Sequence, residues 1–447
     1  MFHRILIANR GEVAARVQHT CETMGITPVM ITTDPDQEST LIRDSKDVVH
    51  IGGTRAYLDL DAVLDAGNQE WCSAVHPGWG FLSENPTFAA RCEAAGMTFI
   101  GPRSSTMRLM ADKAIARKTM DALGLPTIPG SQGLVRTIDE ARSEANRIGF
   151  PVLLKAVSGG GGRGMRIVRS EPDLDAAFEE ASAEALGAFA DDRLYLEKLI
   201  ENGRHIEFQV VGDGKRVQVL GERECSIQRR HQKLLEETPS PGLAGAAGDE
   251  ARSTTAERVK AACEALSYRG AGTIEMLLDA EGNLYFMEMN TRLQVEHTVT
   301  EEVTGVDLVE SQIRVAANEH LPDLPTPSGC AIQCRINAED VYQDFRPHPG
   351  LISRFDLPVG EGIRVDTHLK NGDSISPHYD SMIAKVIASG PSRDVAIERM
   401  RKALDSFIVE GVPTTIPLHR ALMDHPGFIA GDTDTGFLER EIKGLLS

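Results

Sequence analysis

The sequence predicts an α/β protein of about three domains that opens with a doubly wound, mostly parallel sheet. Three observations carry that expectation. The chain has 447 residues, and domains average roughly 150 residues. Its first hundred residues alternate short apolar runs with helical patterns, the rhythm of βαβ units. Two stretches rich in Pro and Gly then punctuate the rest, Leu123–Gly130 (LGLPTIPG) and Leu321–Gly329 (LPDLPTPSG).

Taken in order, Ile5-Leu6-Ile7-Ala8 reads as a strand, Glu12 to Met24 as a helix closed by Gly25, and Pro28 to Thr32 as a second strand. The turn after the first strand is Asn9-Arg10-Gly11-Glu12. It lacks G-x-G-x-x-G, so nothing supports a dinucleotide site. Val75–Asn85, VHPGWGFLSEN, carries three Pro/Gly residues within four positions and reads as an irregular loop. Ser104 to Leu123 reads as one amphipathic helix. Ser131 to about Ile200 reads as a compact α/β unit, small enough to be an inserted, movable subdomain, with a surface helix over Asp173–Ala190. His205 to Asn290 reads as hairpins and helices. Ala331 to Ser447 mixes strands with one long helix, Ser392–Phe407.

The composition excludes several classes. Net charge is −19 and the pI is about 5.2, so bulk charge does not favour nucleic acid or anionic membrane. Any bound anion needs a local cluster of cations. No apolar run reaches the length of a membrane span, and the start MFHRILIANRGE has too few apolar residues for a signal-peptide core. The seven cysteines are scattered without C-x-x-C, as expected of a reduced cytoplasmic protein without structural disulfides or a zinc knuckle.

Pro151–Ser170, PVLLKAVSGGGGRGMRIVRS, reads as strand, glycine loop, strand. Walker A is excluded, because G-x-x-x-x-G-K-[ST] is absent and no helix follows. Glycines without Cβ let backbone N–H groups approach an anion closely, and Lys155 and Arg163 supply charge, so the hairpin tip is a phosphate-binding candidate. In Gly272–Asn290, GTIEMLLDAEGNLYFMEMN, a turn centred on Glu281-Gly282 sets Glu275 opposite Glu288. Opposed like charges destabilise a sheet, so one holds a proton or a cation lies between them, unless the register slips and the two are solvated independently. Oxygen ligands favour Mg²⁺ or Mn²⁺, and Asn290 can add a third. Asn290, Arg292, Gln294 and Glu296 recur at spacing two, which places them on one side of an extended segment. Arg229-Arg230-His231-Gln232-Lys233 is a second cationic cluster, equally readable as a surface patch. His205, Glu207 and Gln209 also alternate, a pattern expected of a solvated face. Lys113 reads locally as a solvated helix lysine.

Together the strings IANRGE, HPGWGFLSEN, SGGGGRGM, CSIQRRHQK, MEMNTRLQVEHTVTE, CRINAED and YDSMIAKV resemble the biotin carboxylase family of ATP-grasp enzymes, in family order over nearly the whole chain. The resemblance implies a Rossmann-like N-terminal domain (1–112), a central ATP-grasp domain (113–327) with a mobile lid at about 131–200, and a C-terminal α+β domain (328–447). It implies ATP- and bicarbonate-dependent carboxylation of biotin through carboxyphosphate. Matching positions assign nucleotide binding to Lys113, Lys155, Gly161, Gly162, Glu197, Lys198, Leu199, Ile200, His205, Gln228 and His231. Glu275, Glu288 and Asn290 are expected to hold Mg²⁺ or Mn²⁺. Lys233, Arg292, Gln294 and Val295 would bind bicarbonate, Glu296 would deprotonate it, and Arg335 would face the biotin ureido oxygen.

Two positions depart from the family pattern. Trp79 stands where tyrosine is usual, beside the expected biotin pocket, and His348 stands where serine is usual. No A-M-K-M-type attachment site and no carboxyltransferase region is present. The expectation is therefore a free-standing cytoplasmic subunit, a homodimer, working with a biotin carboxyl carrier protein and carboxyltransferase subunits of an acyl-CoA carboxylase such as acetyl-CoA carboxylase, in fatty acid biosynthesis. The glycine loop and acid pair equally suit another ATP-grasp carboxylate–amine ligase, and Trp79 alone supports a nucleotide-binding subunit with impaired turnover.

Overall fold

The computed structural model describes residues 1–131, 133–156, 165–189 and 192–446. Strands β1 (Arg4–Ile7), β2 (Thr27–Thr32), β3 (Val48–His50), β4 (Ala74–His76) and β5 (Thr98–Phe99) form a parallel sheet in the order β3-β2-β1-β4-β5. They read as apolar runs because both sheet faces are covered; Ile5, Leu6 and Ile7 are fully buried. Helix α1 (Gly11–Thr23) follows β1, and Gly25 then takes a left-handed φ of 70°. The strand order reverses beside β1, the point where open α/β sheets place ligands. There Asn9 donates through Nδ2 to the carbonyls of Pro77 and Trp79, both at 2.7 Å. The irregular HPGWG loop is thereby tied to the carboxyl end of β1.

The helix expected over Ser104–Leu123 is two helices, Ser104–Ala111 and Lys113–Ala122. Asp112 separates them in an extended conformation, its carboxylate accepting from the N–H groups of Ala114 and Ile115 at 3.0 Å. Aspartate serves better as an N-cap than inside a helix, so the break falls at that residue.

Strands β6 (Val152–Ala156), β7 (Met165–Val168) and β8 (Leu194–Lys198) make a small antiparallel sheet in the order β7-β6-β8. Helices Ile138–Ile148 and Leu174–Phe189 pack with it around a core of their own that includes Val152, Leu154, Val168 and Leu196. The expected strand–loop–strand hairpin is thus present at its two strands. Its glycine loop, with Gly161, Gly162 and Arg163, lies outside the described residues.

The largest sheet has eight strands. Strands β9 (Arg204–Asp213), β10 (Val217–Arg229), β11 (Gln232–Thr238), β12 (Arg269–Leu278), β13 (Leu284–Asn290) and β14 (Cys330–Asn337) run in the order β13-β12-β9-β10-β11-β14. The strands Met382–Gly390 and Ile363–Asp366 complete it. All its pairings are antiparallel. The sheet is continuous across the connector Leu321–Gly329, because β11 pairs with β14 (Leu235 opposite Cys334, Glu236 opposite Gln333). One apolar core follows it across, joining Leu234 and Leu235 to Ile332, Ile383 and the helix Arg393–Ser406.

Candidate active site

The hairpin β12–β13 sets Glu275 directly opposite Glu288, as expected, by a different route. Near the turn the strands pair one residue out of the expected register (Met276 with Phe286). An extra residue, Met287, then shifts the ladder so that Glu275 meets Glu288. The row continues across the sheet, Glu275 opposite Glu207 on β9, and Glu207 opposite Arg223 on β10. Three carboxylates therefore stand side by side, an arrangement that requires neutralising cations.

Those cations come from elsewhere in the chain. The tip of β10–β11 is a two-residue turn in which Arg230 and His231 both take left-handed φ, 49° and 64°. It returns the chain so that Lys233 lies opposite Gln228. The Lys233 ammonium donates to Glu207 Oε2 (2.6 Å), Glu275 Oε1 (2.9 Å) and Glu296 Oε1 (2.7 Å). Buried Arg223 donates to Glu207 Oε1 at 2.5 Å and to Gln209 and Thr300. The segment expected to present a solvated face, His205, Glu207 and Gln209, is in fact buried. Alternation marks only a two-sided strand, and here the polar side meets Lys233 and Arg223.

Glu296 is fully buried. Its second oxygen accepts from Arg335 Nη2 at 2.9 Å, and Arg335 also pairs with buried Glu236. Burial alone raises a carboxyl, but Lys233, then Arg335 and Arg223, outweigh it and hold Glu296 well below the usual carboxylate range. Glu275 is held low in the same way, by Lys233 and His205 against burial. Burial lowers Lys233, yet Glu207, Glu296 and Glu275 raise it well above the ordinary lysine value.

The segment after β13 is not the extended run its spacing suggested. The strand ends at Asn290, and Glu296 is the N-cap of the helix His297–Thr304. The groups converge nonetheless. Arg292 donates to Asn290 Oδ1 and Gln294 Oε1, both at 3.1 Å, and Gln294 donates to Glu275 at 3.1 Å. Arg292 also meets Glu84 of the HPGWGFLSEN loop at 3.0 Å, which fastens that loop to the site.

The remaining expected nucleotide contacts fall into separate groups. Lys113 reaches Glu288 Oε2 at 3.0 Å, so it is a partner of the acid pair and not a merely solvated lysine. Lys155 and Arg117 both pair with buried Glu197. Lys198 turns toward the backbone and donates to the carbonyls of Gly149 and Phe150, while the Leu199 N–H donates to Pro151 and Ile200 is half-buried. His205 lies 3.3 Å from Glu275. Gln228 is buried and donates to the Cys225 carbonyl. His231 is exposed at the hairpin tip, and its neighbours Arg229 and Arg230 pair with Asp344, away from Lys233. Trp79 lines a recess with Arg10, His368 and Asp380, its buried indole N–H without a partner among the described residues.

The donors of Glu275, Glu288 and Asn290 are all oxygens, as a hard divalent cation requires. Lys113 beside Glu288 and Lys233 beside Glu275 mark the need for positive charge there.

The sequence profile described as "Biotin carboxylase, N-terminal domain" matches residues 1–107, and "Biotin carboxylase C-terminal domain" matches 333–440. Between them, "Carbamoyl-phosphate synthase L chain, ATP binding domain" matches 112–324. A biotin carboxylase of Nostoc sp. is 47% identical over 445 residues, 98% of this chain and 99% of that one. The chain belongs to the biotin carboxylase family. Among solved structures, the biotin carboxylase domain dimer of Hydrogenobacter thermophilus 2-oxoglutarate carboxylase, in complex with MgADP, ADP and bicarbonate, superposes with a TM-score of 0.90 at 45% identity, covering 100% of this chain and 99% of that one. A Campylobacter jejuni biotin carboxylase–β-γ-ATP complex gives 0.91 at 42% identity, covering 98% and 99%. The fold is the mixed α/β architecture of biotin carboxylases, and the chain is an ATP-dependent enzyme of that family. Among the described residues no helix is long and apolar enough to cross a membrane.

Sequence reasoning did not find Glu207, Arg223, Glu236 and Glu84 as parts of this cluster. Their signal is spatial: each is set by a strand register or loop contact far along the chain.

Proposed function

We propose that this biotin carboxylase carboxylates biotin presented on a carrier protein, with ATP and bicarbonate as co-substrates and Glu296 as the general base. The observation that carries the reading is Glu296 itself, a buried carboxylate gripped on one oxygen by Lys233 and on the other by Arg335.

In that grip Glu296 is ionised but a weak base. A bicarbonate anion entering between Lys233, Arg292 and Gln294, with its oxygen near the Val295 backbone, would draw the cations toward itself. Glu296 then gains basicity at the moment it faces the bicarbonate hydroxyl. With that proton removed, the oxygen attacks the γ-phosphorus of ATP and ADP leaves. Positioning and charge neutralisation carry such a step, and Lys113 and Lys155 supply charge along the phosphates. Glu275, Glu288 and Asn290 would hold Mg²⁺ or Mn²⁺, which supplies further neutralisation of the phosphate oxygens when bound. The carboxyphosphate decomposes to CO₂ and phosphate. Phosphate takes the ureido proton, the ureido nitrogen forms its bond to CO₂, and Arg335 stabilises the developing oxyanion. Water must be excluded meanwhile, a task that suits the separately cored unit around the sheet β6–β8 as a closing lid.

The assigned units are 1–112, 113–327 and 328–447. The nucleotide base lies along Glu197–Ile200 beside His205, Gln228 and His231, and Trp79 lies by the biotin. The working partners are a biotin carboxyl carrier protein, carboxyltransferase subunits and a second copy of the chain, in the cytoplasm. The test is ADP release from ATP as bicarbonate and free biotin are varied. Turnover should need bicarbonate and rise with biotin, and bicarbonate-independent turnover of equal rate would refute the reading.

A further inference from the structure

Lys385 is fully buried on the strand Met382–Gly390, beneath the site and outside the set of residues given roles above. Its ammonium lies 2.8 Å from Glu12 Oε1 on α1 and 3.7 Å from Asp366 Oδ2. It also donates to the backbone carbonyl of Val295 at 3.1 Å. In register, Lys385 sits directly opposite Arg335 on β14 and opposite Asp366 on the other side. Two neighbouring cations of one sheet row therefore hold two successive residues of the loop, Arg335 the Glu296 carboxylate and Lys385 the peptide unit that carries the Glu296 N–H. Val295 is buried, and the helix that follows begins at His297, with Val299 N–H donating to the carbonyl of Glu296. Lys385 is thus the donor the structure gives to the Val295 carbonyl, and a buried carbonyl needs one.

We propose that Lys385 is a positioning residue for the carboxylation step, fixing the Val295–Glu296 peptide plane so that the Glu296 carboxylate meets the bicarbonate hydroxyl. The inference rests on the reading of Glu296 as base. Misplacing a reacting group by about 1 Å costs on the order of 100-fold in rate, whereas the ATP contacts at Lys113 and Lys155 lie elsewhere in the site.

The test compares bicarbonate-dependent ADP release in the full-length wild type, Glu12→Gln, Lys385→Met with Glu12→Gln, and Lys385→Arg. Glu12→Gln removes the buried acid, so the methionine pair leaves no carboxylate at that contact unpaired. The pair should melt within a few degrees of Glu12→Gln yet lose about 10- to 100-fold in kcat, with KM for ATP within about twofold. Lys385→Arg, which keeps a cationic donor, should recover most of the rate. A folded methionine pair turning over within twofold of Glu12→Gln overturns the proposal, as does a parallel loss in melting temperature, kcat and ATP affinity. If that pair does not fold, Lys385→Gln with Glu12→Gln, whose amide is shorter than the lysine arm, is judged by the same criteria. A wild type without bicarbonate-dependent turnover would sink the base assignment first, and this inference with it.

Discussion

Replacing Glu296 by glutamine keeps the shape of the side chain and removes its charge. The expected loss has two parts that the structure separates. As a base, a positioned carboxylate contributes on the order of 10²- to 10⁴-fold, or about 2.7 to 5.4 kcal/mol of barrier. As a structural anion, Glu296 accepts from Lys233 at 2.7 Å and Arg335 at 2.9 Å. Lys233 retains Glu207 and Glu275, and Arg335 retains Glu236. The glutamine carbonyl can still accept from one cation, so a single charged hydrogen bond is lost, at about 1 to 3 kcal/mol. Chemistry should therefore fall far more than folding. The assay is bicarbonate-dependent ADP release beside a thermal melt: turnover down at least 100-fold, the melting temperature lower by only several degrees. Full activity of Glu296→Gln would refute the base assignment, and a collapse of the fold without a specific rate effect would make Glu296 a structural anion.

Further outcomes follow from the same geometry. Lys233→Met removes the cation shared by three buried carboxylates, leaving Glu207 to Arg223 and Glu296 to Arg335, and should destabilise the protein by about 3 to 5 kcal/mol, with turnover lost in those molecules that remain folded; melting and kinetics on one preparation check both. Because the folded Glu296 carboxyl lies below its unfolded range, its stabilisation is complete above about pH 4.3 and fades as pH falls through the folded value. The melting difference between wild type and Glu296→Gln should thus be flat at neutral pH and shrink below that point, as a series of melts in acid buffers would record. Chelation should abolish turnover, and Glu288→Gln should raise the Mg²⁺ needed for half-maximal rate by at least about tenfold. Trp79→Tyr replaces a buried indole N–H that has no partner among the described residues with a hydroxyl that both donates and accepts. Half-saturation with free biotin should fall by about 2- to 10-fold, the worth of one hydrogen bond.

Much of the architecture was legible because its physics is local. Doubly covered strands such as Ile5–Ile7 read as apolar runs, and the opposition of Glu275 and Glu288 followed from hairpin spacing, although the register beside the turn is one residue out and Met287 restores the match. What stayed hidden depends on distant partners. His205, Glu207 and Gln209 alternate as a wet strand would, and only the arrival of Lys233 from the next hairpin, with Arg223 beside it, makes that face an interior. Spacing at every second residue from Asn290 to Glu296 correctly grouped four side chains but implied a strand that ends at its first member. Asp112 shows the converse: one capping carboxylate overrides a helical period that is continuous on either side.

The backbone stitching of β11 to β14 has a mechanical consequence. Glu296, at the head of the helix that follows β13, and Arg335 on β14 are carried by one continuous sheet, so they cannot part like the jaws of a clamp. A cut in the proline-rich connector 321–329 should leave two fragments still zipped along that seam. Either fragment made alone would carry a raw strand edge of unsatisfied amides and carbonyls, an invitation to aggregate.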